Sequence, residues 1–159
     1  MKKLVMAMLL TAATTSAFAQ FTKGTKYVGA SLTGLNLAIN DRQHLTFGLD
    51  AKAGYFIKDY WMLEGNFGWH TSRTHLDRCL VGVKARYTQV ENGLYYSCGL
   101  QYIHERKSFN DIQLTPELGY CFYLNHYVSV EPAIYYNMSF TDFSKKGEGG
   151  IKIGIGYYF

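Results

Sequence analysis

The sequence predicts an all-β fold: an eight-stranded antiparallel up-and-down barrel. Three observations carry this. Apolar and polar residues alternate with period two through most of the chain, which puts successive side chains on opposite faces of a strand. Turn signals recur between the alternating runs, and the clearest is Asn92-Gly93, the strongest short hairpin signal. Residues 152–159 alternate strictly, with Ile153, Ile155, Tyr157 and Phe159 on one face and Lys152, Gly154, Gly156 and Tyr158 on the other. An open apolar edge invites aggregation, so this strand is expected to close a barrel by pairing with the first.

Residues 1–19 read as a secretory signal peptide. Lys2 and Lys3 form a charged start, residues 4–13 are apolar, and Ala17-Phe18-Ala19 is a small-x-small cleavage site, so the exported chain is expected to start at Gln20. The apolar run is well short of the roughly 20 residues that span a bilayer as a helix. The remainder fits one domain rich in aromatics, with 14 Tyr and 10 Phe against 2 Pro, a composition that suits short strands. The formal net charge is +4, and two of the positive charges leave with the leader. No basic run or aromatic-plus-basic cluster points to nucleic acid, and none is expected as a partner. Cys79, Cys98 and Cys121 are odd in number, and parity puts the first two on one face and the third on the other. They read as small apolar residues rather than a disulfide framework. No metal-ligand spacing is present, and no cofactor is expected.

The first strand is expected over residues 25–39. Val28, Ala30 and Leu32 alternate, then Leu35, Leu37 and Ile39 take the opposite parity, and the slip at Gly34 predicts a β-bulge. A polar turn at 40–43 leads to the second strand, 44–57, which aligns Leu45, Phe47, Leu49, Ala51, Ala53, Tyr55 and Ile57. Lys58-Asp59 is a tight turn into the third, 60–71, which aligns Trp61, Leu63, Phe67 and Trp69. A polar loop at 71–76 leads to the fourth, 77–88, with Cys79, Val81, Val83, Ala85 and Tyr87 in line. The fifth, 94–105, aligns Leu94, Tyr96, Cys98, Leu100 and Tyr102. A loop at 106–111 precedes the sixth, 112–124, and Asn125-His126 turns into the seventh, 127–140. Pro116 and Pro132 fall on the apolar rows of these two strands. Pro has no N–H for a ladder, and bulges there would accommodate them. Residues 141–149 form the longest loop, before the terminal strand.

Alternation alone does not say which face is outside. Two features put the apolar rows out. Their bulk, including the Trp61/Trp69 row, exceeds what an eight-stranded interior holds. The polar rows are rich in Gly, Ser, Ala and Thr, which suit a narrow interior. Those rows also balance acidic Asp50, Glu64, Glu117 and Glu131 against basic Lys52, Lys84, Arg86 and Lys152. Turned inward these are expected to form a charge network, because unpaired buried charge is prohibitively costly. Tyr55, Trp61, Tyr87, Tyr96, Phe122, Tyr157 and Phe159 fall near the tight-turn ends of strands, and Phe47, Trp69, Tyr102 and Phe140 near the opposite ends. Two aromatic belts around an aliphatic band are what membrane interfaces select. The prediction is therefore a transmembrane β-barrel with both termini on the tight-turn, periplasmic side.

Lys152, Gly154, Tyr157 and Phe159 resemble, in order, the C-terminal insertion signal of bacterial outer-membrane barrels. With the leader and the topology, the chain resembles the small eight-stranded outer-membrane β-barrels, the outer-membrane protein β-barrel domain family of OmpA/OmpX-like architecture. The resemblance implies that residues 20–159 are one outer-membrane barrel domain. It implies a monomer bedded in outer-membrane lipid and lipopolysaccharide and inserted by the barrel-assembly machinery. Its motifs specify insertion, not an activity.

The leading expectation is a non-catalytic protein with a structural or cell-surface role and at most a narrow ion path, since an eight-stranded interior filled by side chains is too narrow for a general porin. One alternative is a lipid A-modifying barrel enzyme, because His70-Thr71-Ser72 has the His/Ser spacing of deacylases and a His activates a Ser when an acid orients it. Against it, His70 has inward parity and the sequence names no acid partner. The other alternative is a soluble, lipocalin-like periplasmic binder with the faces reversed.

Overall fold

The computed structural model describes residues 21–37, 46–72, 78–89, 92–105, 109–140 and 148–159. The expected leader at 1–19, the polar stretches at 40–43, 73–76, 106–108 and 141–147, and the side chain of Phe47 lie outside the described residues.

Ten strands form one antiparallel sheet: β1 (Lys26–Leu37), β2 (Thr46–Lys58), β3 (Trp61–Ser72), β4 (Arg78–Thr88), β5 (Leu94–Glu105), β6 (Phe109–Leu114), β7 (Glu117–Tyr120), β8 (Phe122–Tyr123), β9 (Val128–Ser139) and β10 (Glu148–Tyr158). β1 to β5 pair in sequence order, β6 and β7 both pair with β5 and β9, β8 pairs with β9, β9 pairs with β10, and β10 returns to β1 from Tyr27↔Tyr158 to Leu37↔Gly149. Lys26 and Phe159 exchange backbone hydrogen bonds of 2.7 and 3.0 Å at the seam. The sheet is thus a closed barrel without a free edge, the solution that removes the hazard of an apolar terminal strand.

The sixth wall position is not one strand. β6, β7 and β8 share it, with interruptions at Thr115-Pro116 and at Cys121. No bulge marks either proline, which corrects that expectation. Leu114↔Met138, Glu117↔Tyr135 and Phe122↔Val130 keep one register against β9. Leu114↔Leu100 and Glu117↔Ser97 likewise keep one register against β5. That register sets Pro116 opposite Tyr136 and Pro132 opposite Tyr120, so each break is a missing N–H and not an extra residue. The wall holds because Thr115 N donates to Gly99 O at 2.9 Å and Pro116 O accepts from Tyr136 N at 3.0 Å. The slip between Thr33 and Leu35 does occur, at Gly34. A second, between Phe56 and Lys58, adjoins Tyr60 in the left-handed region at φ 68°, where the short turn into β3 forces the chain round. The terminal strand starts at Glu148, inside the stretch expected to be loop.

The faces are inverted relative to a water-soluble barrel. Leu49, Trp69 and Ile155 are 55%, 60% and 60% exposed, while Arg86 and Glu131 are each 1% exposed. The outer rows of Leu, Ile, Val, Phe, Tyr and Trp make a continuous apolar band that no soluble monomer leaves in water, and that lipid accepts.

Candidate functional site

The barrel interior is the only place among the described residues where charged groups converge, and it is layered. At the tight-turn end lies an aromatic lid. Phe21, Tyr27, Phe56, Met62 and Tyr158 are all buried there, with Tyr60 and Tyr123 against them. Phe21 precedes the first strand and is held by its backbone: its carbonyl accepts from Tyr60 N at 2.7 Å, Gly24 N donates to Phe56 O at 2.9 Å, and Lys23 N donates to Asp59 at 2.8 Å. Its ring lies 5.8–6.0 Å from those of Phe56, Tyr123 and Tyr158, in the tilted and edge-on arrangements that aromatic pairs favour.

Beneath the lid sits Arg86. Nη1 donates to Glu131 at 2.9 Å, Nη2 donates to Cys121 Sγ at 2.7 Å and to Tyr158 Oη at 3.3 Å, and the guanidinium lies 3.7 Å from the Tyr95 ring centroid. Glu131 also accepts from Tyr27, Ser129 and Tyr158 at 2.7–2.9 Å. A planar, permanently charged fork stacked on an aromatic is what Arg supplies and Lys does not. Glu64 stands 3.9 Å from Arg86. Space for this cluster comes from glycine. A Cβ on Gly156 would meet the Tyr27 ring at 2.6 Å and Glu131 at 2.7 Å, and one on Gly119 would overlap the Tyr95 ring.

The next layer turns on Glu117. Its Oε2 accepts from Lys84 at 2.9 Å and Lys152 at 2.5 Å, and its Oε1 accepts from Tyr95 at 2.9 Å. Lys52 lies in the field of Glu64, Glu117 and Glu131. Toward the loop end Asp50 accepts from Thr33 at 3.0 Å and pairs with His70 Nε2 at 2.9 Å. Further on, Asp111 accepts from Ser139 at 3.0 Å and from Gln113 at 2.9 Å. A cavity of about 30 Å³ opens between these levels, bordered by Lys52, Lys84, Lys152, Asp50, Asn66 and Thr115 among others.

All eight charged positions singled out in the sequence, Asp50, Lys52, Glu64, Lys84, Arg86, Glu117, Glu131 and Lys152, are therefore buried within the barrel, none more than 8% exposed. They split into three groups around Glu131, Glu117 and Asp50. Of the terminal positions, Lys152 and Gly154 face inward and Tyr157 and Phe159 outward. Cys121 is buried on Arg86, while Cys79 and Cys98 lie on the other face, and all three are free thiols. His70 does have an acid partner, Asp50, but it faces the interior. The sequence reading missed Tyr27, Tyr95 and Tyr158 as partners of the carboxylates, and Phe56, Asp111 and Phe21 altogether. Parity would have found the first five, since each falls on an inward position; Phe21 has no periodic signal.

In sequence, residues 5–159 match the family of the outer membrane protein beta-barrel domain. No curated protein matches the chain. Among solved structures, the N-terminal β-barrel domain of Pseudomonas aeruginosa OprF is similar at a TM-score of 0.68 with 16% identity, over 86% of this chain and 98% of that one. Neisserial surface protein A gives 0.66 with 15% identity, over 86% and 100%. Ail of Yersinia pestis gives 0.50 with 13% identity, over 87% and 100%. At such identities the likeness is one of fold. The fold these proteins share with the chain is that of a β-barrel, and with the match over nearly its whole length the chain belongs to the outer membrane protein beta-barrel domain family.

Proposed function

We propose that the protein is a non-catalytic outer-membrane barrel with a structural or cell-surface role and at most a narrow path for small ions. The observation that carries this reading is the convergence of Lys84, Lys152 and Tyr95 on the single carboxylate of Glu117 across the barrel. With the Arg86–Glu131 layer and the aromatic lid behind it, side chains fill the interior across its width at two levels, above a cavity of about 30 Å³. Its immediate partners are outer-membrane lipid and lipopolysaccharide on the apolar band. The barrel-assembly machinery reads Lys152, Gly154, Tyr157 and Phe159 and inserts the chain as a monomer, after export on the leader at residues 1–19.

The lipid A-modifying alternative is not favoured. His70 turns its Nε2 into the barrel onto Asp50, away from the lipid where an acyl chain would lie. The soluble alternative would leave the outer Leu, Ile and Trp rows in water. Reconstituted in planar bilayers, the protein is expected to give no steady current and at most brief, small openings. A sustained large conductance would overturn the closed-interior reading, and acyl release from lipid A by the wild type that disappears in Ser72→Ala would overturn the non-catalytic one.

A further inference from the structure

We infer that the interior void between Lys52, Asn66 and Thr115 is a binding site for one small monovalent anion of halide size. The first observation is one of charge. Three ammonium groups, Lys52, Lys84 and Lys152, border the void. Lys84 and Lys152 share Glu117 between them. Lys52 is 6% exposed and has no carboxylate within ion-pair distance among the described residues. Asp50 is the one carboxylate on the lining, and both of its oxygens are already engaged, by Thr33 and by His70. Glu64, Glu117 and Glu131 act on Lys52 from beyond ion-pair distance, so its buried ammonium has no contact partner among the described residues, and an anion in the void supplies one.

The second observation is independent of charge. Asn66 Oδ1, Thr115 Oγ1 and Asn137 Oδ1 are buried on the void without a hydrogen-bond partner among the described residues, and Asn66 and Thr115 are 8% and 2% exposed. Native interiors rarely leave such atoms unsatisfied. Thr115 has a hydroxyl proton to donate, and the Asn66 amide can present either its oxygen or its NH2 to the void. Ammonium, hydroxyl and amide together form a donor set with a formal positive charge, and charge-assisted contacts of this kind are the strong ones. Size fixes the class of occupant. A water-sized occupant needs about 10–15 Å³ of such space, so a void of about 30 Å³ has room for one ion of halide size. The aromatic lid seals the far end, so the ion exchanges from the loop end.

The test is the unfolding midpoint of the refolded full barrel in detergent, read by Trp fluorescence, in sodium chloride or bromide against sodium gluconate at equal ionic strength. Halide is expected to raise the midpoint by about 3 °C, the shift that occupancy at a few times the dissociation constant produces in a chain of this size. The rise should saturate, disappear in Lys52→Met and persist in Lys26→Met, which alters an exposed lysine. Should Lys52→Met not refold, Thr115→Val removes one donor at constant shape and is expected to shrink the halide increment. Crystals soaked in bromide should show one anomalous peak between Lys52 and Thr115. Equal midpoints in chloride and gluconate, a halide increment unchanged in the variants, or water without bromide in the void would overturn the proposal.

Discussion

The tight-turn half of the barrel interior is aromatic, with Arg86 stacked on Tyr95 and bonded to Glu131 under a lid of Phe21, Tyr27, Phe56 and Tyr158, although Arg86 Nε, Thr88 Oγ1 and Tyr123 Oη have no hydrogen-bond partner there among the described residues. The loop-side half is polar and looser: Asp50, His70, Asn66 and Thr115 border a void, and polar atoms of the last two have no partner among the described residues. Both halves bury charge, yet they do so differently. Around Glu131 the carboxylate has five side-chain donors, Arg86, Tyr27, Ser129 and Tyr158 at 2.7–2.9 Å and the Cys121 thiol at 3.8 Å. Around Asp50 it has two, and one is a His. Buried ion pairs hold only where the remaining hydrogen-bonding capacity is met. The tight-turn half is therefore the more densely bonded of the two, and the proposed anion site lies in the looser loop-side half.

The comparison breaks most readily at its strong end. Glu131→Gln removes the hydrogen-bonded counter-charge of buried Arg86, leaving only Glu64 at 3.9 Å, and is expected to cost about 3 kcal/mol, measured by urea titration of folding into lipid vesicles. Next comes the lid. Phe21→Ala should cost about 3 kcal/mol, the low end for a buried Phe because the residue sits on a short flanking segment, and should open the tight-turn mouth to small ions in bilayer recordings. A pair of glycines sharpens the packing argument. Gly119→Ala drives a methyl into the Tyr95 ring and is expected to cost about 1–3 kcal/mol. Gly154→Ala, whose Cβ would meet nothing nearer than 3.4 Å, should be within about 0.5 kcal/mol of wild type by the same titration. The smallest effect belongs to the loop side. Asp50→Asn keeps a hydrogen-bonding group of the same shape beside Thr33 and His70, and a loss of about 1 kcal/mol is expected.

Much of this was legible in the sequence, for reasons that can be named. The fifth strand begins and ends where expected, Leu94–Glu105, because Asn92-Gly93 fixes its start and clean alternation carries it on. The bulge at Gly34 was legible because alternation visibly changes parity there. The inward set of charges followed from parity as well. What did not follow was which charge meets which. Lys152 of the last strand and Lys84 of β4 meet on Glu117 of β7 only because closure and stagger of the barrel bring those heights together, and neither quantity is written in any single strand. The breaks at Pro116 and Cys121 were not foreseen as breaks, since a missing N–H leaves the side-chain pattern untouched. The inward tyrosines were hidden for a related reason: an aromatic at a strand end reads equally as a belt residue facing lipid or as a lid residue facing the interior.

The central claim is the inversion of the two faces, charge inside and apolar rows outside. The two tryptophans test it most directly, because both face outward, Trp61 at the tight-turn end and Trp69 toward the loops, at 45% and 60% exposure. Folded into vesicles with bromine placed at different depths of the acyl chains, Trp61→Phe and Trp69→Phe proteins should each have their remaining Trp quenched, more strongly by bromines near the headgroups than by those at the bilayer centre. Tryptophan emission untouched by bromine at any depth, with the protein in the aqueous phase, would contradict the account.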